Sequence, residues 1–171
     1  MRRMIEIEPR PLPDGALLDR YKVGGAYTDC YMVELSTPIA LAEYVEAFYT
    51  SPLFKLERFV LRWLAWKPST DEQALGLAMG SAKEFAAWRV EERTDYQLLL
   101  CDFRGSTRSW LMAAGYGPTR TRLYFGSAVV PKHPPKDGKA RLGFTYRALL
   151  GFHVWYSKAL LRAAATRLAA K

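Results

Sequence analysis

From Ser81 onward the spacing of apolar residues changes, and that change limits the fold more than any other feature. In the helical segments ahead of it, from Leu41 to Leu64, apolar residues recur three and four apart. After it they alternate, through four strand-length runs: Glu84 to Glu92, Asp95 to Phe103, Ser106 to Tyr116 and Pro118 to Val130. The joints Arg93-Thr94, Arg104-Gly105 and Gly115-Tyr116-Gly117-Pro118 are short and made of turn residues. Parallel strands need long crossovers, so runs joined this tightly form an antiparallel meander. Such a sheet must bury one face. The only long amphipathic element left to cover it is Arg141 to Ala170, which holds no proline and is rich in alanine.

The segments ahead of the meander are equally ordered. Residues 1–25 read as an arm, because Pro9, Pro11 and Pro13 exclude regular helix and Gly24-Gly25 ends it. Ala26 to Leu35, aromatic and β-favouring, reads as a strand covered on both faces. Ser36-Thr37-Pro38 reads as a helix start, followed by a stripe at Leu41, Tyr44, Val45 and Phe48. Ser51-Pro52 opens a second helix with Leu53, Leu56, Phe59, Val60, Trp63 and Leu64 on one side. Asp71-Glu72-Gln73 opens a short third piece ending at Gly76 or Gly80. The expected organisation is an arm over 1–25 and one domain over 26–171.

A chain of 171 residues at this apolar content buries enough surface to fold without disulfides or metal. Cys30 and Cys101 read as reduced, small apolar fillers, and with no secretory signal a cytoplasmic location is the expectation. The net charge is +8, concentrated in the second half; after Asp137 there are seven bases and no acid. No helix-turn-helix, RNP-like signature or phosphate-cradling loop accompanies these bases, so no specific nucleic-acid partner is expected. Arg147, Lys158 and Arg162, near Trp155 on one helix face, leave open a weak contact with anionic membrane. His133 has no ligand set around it, so no metal is expected, and no cofactor is called for.

The order of strand, two helices, meander and closing helix resembles the START-like or SRPBCC helix-grip superfamily, which includes polyketide-cyclase-like domains. The resemblance rests on Ala26–Leu35 followed by Ser36-Thr37-Pro38, on Leu53-Phe54-Lys55-Leu56-Glu57-Arg58, and on the helix from Phe144. The run from Ser109-Trp110 to Val130 is also similar to a bacterial family of uncharacterised proteins near that superfamily. The resemblance implies an α+β fold whose curved antiparallel sheet grips the C-terminal helix, with a cavity between them. It also implies six or seven strands, so one more is expected within 1–25 or 72–82.

The residues then suggest what such a cavity holds. On the last helix Leu149, Phe152, His153, Tyr156 and Leu160 share a face towards the sheet. His153 reads either as an acid/base or ligand contact, or as a core histidine bonded to a carbonyl or a tyrosine hydroxyl. Asp29 interrupts an aromatic strand and reads as an inward polar anchor or a solvated side chain. Trp88, Trp110, Tyr124 and Tyr156 are the aromatics expected at the cavity. No nucleophilic triad motif is present. The leading expectation is non-catalytic binding of a small hydrophobic or amphipathic ligand between sheet and helix. The alternative is a cyclase- or hydratase-type enzyme using His153, and perhaps Asp29, to move protons; it requires the two side chains to converge on one point of the cavity. Oligomeric state is left open.

Overall fold

A computed structural model describes residues 5–56, 69–130 and 144–170. Among these the chain runs β1 (Glu8–Pro9), α1 (Asp19–Val23), β2 (Tyr27–Leu35), α2 (Leu41–Tyr49), α3 (Asp71–Met79), β3 (Glu84–Phe85), β4 (Trp88–Arg93), β5 (Gln97–Asp102), β6 (Thr107–Tyr116), β7 (Arg120–Val129) and α4 (Phe144–Leu168). The strands make one antiparallel, curved, open sheet in the order β1-β2-β7-β6-β5-β4-β3. The helix α4 packs on β2 and β7 and against α2. The architecture is therefore α+β of helix-grip type.

Period-two alternation decides what each face of the sheet touches. Tyr31, Val33, Leu98, Leu100, Leu111, Leu123 and Phe125 point to the concave side, where they meet Tyr44, Val45 and Phe48 of α2 and Leu160, Leu161 and Ala164 of α4. Their neighbours Cys30, Leu99, Trp110, Met112 and Ala128 point the other way and are covered by Ala16 and Leu18 of the arm. The arm is fastened there by one buried side chain. Gln97 Oε1 accepts from the Leu17 amide and from Trp110 Nε1, both at 2.9 Å, while its Nε2 donates to the Gly15 carbonyl at 3.0 Å. The missing strands lie partly in the arm, where Glu8–Pro9 pairs with Tyr31–Met32.

Two expectations need correction. The helix after β2 starts at Leu41, not at Ser36-Thr37-Pro38. The Thr121 hydroxyl donates to the Thr37 carbonyl and accepts from the Ile39 amide, each at 2.9 Å, which holds this stretch against β7. Glu43 then accepts from the Ala40 amide to start the helix. The run Glu84 to Glu92 is two strands, because the chain reverses at Ala86-Ala87 with Ala86 in the left-handed region at φ 52°. Alanine there gives no sequence signal for a turn that usually asks for glycine. The helix α4 is described from Phe144, and its expected start at Arg141 falls within 131–143, outside the described residues. Residues 57–68 lie outside them as well, and with them the expected stripe of Phe59, Val60, Trp63 and Leu64; residues 52–56 are helical. The third helical piece runs 71–79, capped by Thr70 and ended by left-handed Gly80.

Gly126 shows how tightly the convex face is closed. A Cβ built there would stand 2.9 Å from the Asp29 carbonyl, from Leu18 Cδ2 and from Trp110 Cε3. Only a residue without a side chain lets Trp110 and Leu18 meet over β7. Gly126→Ala is therefore expected to destabilise the fold by about 1–3 kcal/mol, the usual range for overpacking. Urea unfolding followed by tryptophan fluorescence measures it, and an unchanged midpoint would contradict this account of the convex face.

Candidate functional site

Register brings the concave polar residues into one row. Asp29 on β2 faces Ser127 on β7, Ser127 faces Ser109 on β6, and Ser109 faces Leu100 on β5. One inward step along the same strands stand Tyr31, Phe125 and Leu111, all buried and large. Two serines side by side on central strands leave a gap that leucine or phenylalanine would fill. The gap is a cavity of about 220 Å³. Its floor is Ser109, Ser127 and the adjacent backbone of β6 and β7. Phe48, Phe54 and Phe125 wall the inner end, Trp88 one side, and His153, Tyr156, Ser157 and Leu160 of α4 form the roof.

The polar end of this cavity is a compact network. The Asp29 carboxylate is only 8% exposed, and its Oδ1 accepts from the Ser127 amide at 3.0 Å and from Ser127 Oγ at 2.6 Å. Ser127 Oγ also lies 2.6 Å from His153 Nε2, which stands 3.4 Å from Asp29 Oδ2. The Tyr31 hydroxyl donates to Asp29 Oδ2 at 3.4 Å. Burial, and next the Asp29 charge, push the Tyr31 hydroxyl above its ordinary range, so it stays a proton donor.

The network assigns its own protons. An ionised carboxylate only accepts, so the single Ser127 hydroxyl proton goes to Asp29. Ser127 Oγ then accepts from His153, which places a proton on Nε2. This is not a nucleophilic triad. In that arrangement the carboxylate holds the far nitrogen of the imidazole while the near one takes the serine proton. Here Asp29 and Ser127 both meet Nε2, and the serine proton is already committed to the carboxylate. Ser127 is thus a bridge between Asp29 and His153, not a nucleophile.

His153, Trp88 and Tyr156 line the cavity, and Asp29 reaches it through Ser127 and His153. Trp110 and Tyr124 do not belong there. Both occupy the opposite phase of β6 and β7 and lie on the convex side, with ring centroids 6.3 Å apart. Strand phase is the reason: aromatic character marks a position as packed but does not choose the face. Phe152, expected to face the sheet, is 61% exposed and stacks on Tyr156 at the cavity's outer edge. Lys158, expected on the solvent face, leans back until its ammonium lies 5.5 Å over the Tyr31 ring. The side chains of Arg147 and Leu149, and all of His133, lie outside the described residues.

Sequence reading missed Ser109, Ser127 and Ser157. A serine within a strand looks like a solvated position, and only the cross-strand register reveals two of them in one buried row. Arg108, also at the cavity wall, has its guanidinium turned away: it donates to Tyr21 at 2.8 Å and to Glu91 at 2.7 Å. Among the described residues no three His, Cys, Asp or Glu side chains gather to hold a metal ion, and no helix is long and apolar enough to cross a membrane. Comparison with family models, curated proteins and solved structures finds no match for this chain.

Cys30 sits directly behind this site, buried on the convex face. Burial, and then the Asp29 charge, push its thiol up to about 12. At pH 8 the thiolate is therefore about one part in ten thousand, and thiolate is the reactive form. An aromatic disulfide reagent at pH 8 is expected to label neither buried cysteine in the folded protein and both in guanidinium. Reaction is expected to accelerate as pH climbs towards 12. Rapid labelling of Cys30 at pH 8 in the folded state would contradict the burial described for it.

Proposed function

We propose that this chain is a START-like helix-grip protein that binds a small hydrophobic or amphipathic molecule between its sheet and C-terminal helix. One observation carries the reading: the cavity combines aromatic walls with a single polar end. Phe48, Phe54, Trp88, Phe125 and Tyr156 supply flat apolar surface, and the Asp29–Ser127–His153 network supplies polarity at one place. Few, localised polar groups in an apolar pocket are what orient a small ligand. The size bounds the occupant. An apolar cavity of ~150 Å³ accommodates one benzene ring, so about 220 Å³ suits a single ring with a few substituents.

A second reading keeps one observation in its favour. His153 and Asp29 converge within 3.4 Å at the cavity wall, the juxtaposition that proton-transfer chemistry on a bound substrate requires. Binding remains the better-supported reading because the remaining partners are committed. Asp29 is saturated by Ser127 and Tyr31, Ser127 is a bridge, and no second acid or base among the described residues lines the cavity. Contact with anionic membrane through the basic helix face is a weaker proposal, since Lys158 is drawn to Tyr31.

Native mass spectrometry of the gently purified protein, with thermal melts in the presence of single-ring aromatic compounds, tests the proposal. A ligand at a hundred times its Kd is expected to raise Tm by about 5–10 °C for a domain of this size. Ser157→Leu, placed to fill the cavity from α4, is expected to abolish that rise while keeping the far-ultraviolet circular dichroism of the wild type. Absence of any co-purified molecule, together with no stabilisation of the wild type by any of the compounds, would rule the binding reading out.

A further inference from the structure

Two polar atoms among the described residues are buried without a hydrogen-bond partner: Trp88 Nε1 and Ser157 Oγ. Both residues line the same cavity, from opposite elements. Buried polar groups are nearly always satisfied, so a pair of orphans at one cavity asks what would satisfy them. The indole N–H only donates, and the serine hydroxyl has a proton to give. Ser157 is 1% exposed, stands one turn of α4 after His153 and belongs to the cavity lining. Two residues of the lining therefore carry unspent donors, and among the described residues no cation beyond the Asp29 network turns into the cavity. His153 offsets Asp29 at most, and the Arg108 guanidinium is held by Glu91 and Tyr21 on the other side of the sheet.

Building on the binding reading above, we propose that the occupant is an uncharged aromatic carbonyl compound whose oxygen is held by Trp88 Nε1 and Ser157 Oγ. A carbonyl oxygen offers two lone pairs, one for each donor. Its ring lies against Phe48, Phe54, Phe125 and Tyr156, which fill the remaining wall with apolar surface. A carboxylate is disfavoured. It would enter beside the nearly buried Asp29 charge, with no net positive charge among the described lining residues to offset it.

Three matched probes separate the possibilities: ethylbenzene, acetophenone and benzoate, titrated by calorimetry at pH 8 against the full-length protein. Acetophenone is expected to bind about tenfold more tightly than ethylbenzene and than benzoate, one added satisfied hydrogen bond being worth about that factor. Ser157→Ala and Trp88→Phe each change the lining that both probes touch, so the readout is the ratio between them: each is expected to weaken acetophenone several-fold more than ethylbenzene and so remove most of that advantage. Two variants on different elements keep the test alive if one folds poorly, which a thermal melt reveals. Equal binding of ethylbenzene and acetophenone, with both variants indifferent, would overturn the carbonyl assignment and leave the binding reading standing. Tightest binding of benzoate would overturn the preference for a neutral ligand. No measurable binding of any probe would overturn this inference, and the binding reading falls with it when no molecule co-purifies either.

Discussion

A carboxylate 8% exposed in the wall of an apolar sheet is the constraint around which the concave face is arranged. Left unpaired it would be too costly to keep ionised there. Asp29 is made tolerable by two hydrogen bonds from Ser127, one from Tyr31, and the imidazole of His153. Each partner comes with a structural consequence. Ser127 must be small and polar, so β7 cannot present a leucine at that point. His153 must stand over Ser127, which fixes the rotation of α4 about its axis and thereby aims Tyr156, Ser157 and Leu160 at the sheet. Satisfying one charge fixes the helix against the sheet and opens the space between them.

The two faces of the same strands make a contrast that physical chemistry explains. On the convex side Gly126 lets Trp110 and Leu18 close over β7, and Gln97 satisfies three polar groups of arm and sheet at once. On the concave side serines stand at 109 and 127, where the neighbouring rows hold leucine and phenylalanine. Around Gly126 the convex side is packed to contact, while the serine row of the concave side keeps unfilled volume, although both are built from alternate residues of the same two strands.

How much of this could be read from the chain follows from the kind of signal each feature leaves. The meander was legible because turns such as Arg104-Gly105 punctuate long alternating runs. The closing helix was legible because thirty residues without proline have few other options. The inward face of α4 was legible at His153 and Tyr156, since helical periodicity needs no partner to define it. It failed at Phe152, on the margin of the stripe, and at Lys158, whose long stem reaches an aromatic ring beyond its own face. Trp110 and Tyr124 were misplaced because a strand's inward phase depends on its neighbours. The Ala86-Ala87 reversal left no trace because an alanine occupies a glycine's conformation. The serine row was invisible for the deepest reason: Asp29, Ser109 and Ser127 lie far apart in the chain, and only the ladder hydrogen bonds align them.

The energetics of the empty space bear on why it persists. Unfilled core volume destabilises by roughly 24 cal/mol per Å³. For about 220 Å³ that is on the order of 5 kcal/mol. The figure is an upper one, since the cavity's outer edge near the exposed Phe152 meets solvent. It is still comparable to the whole net stability of a small domain, ~5–15 kcal/mol. Larger apolar residues at the serine positions 109, 127 and 157 would fill the void. Two of those serines instead carry polar work: Ser127 bridges Asp29 to His153, and Ser109 meets the Tyr49 hydroxyl at 3.2 Å. Ser157 has no such duty inside the fold. A buried serine beside a void, with no partner among the described residues, is the residue whose presence a packing argument alone does not explain, and the proposed acceptor would.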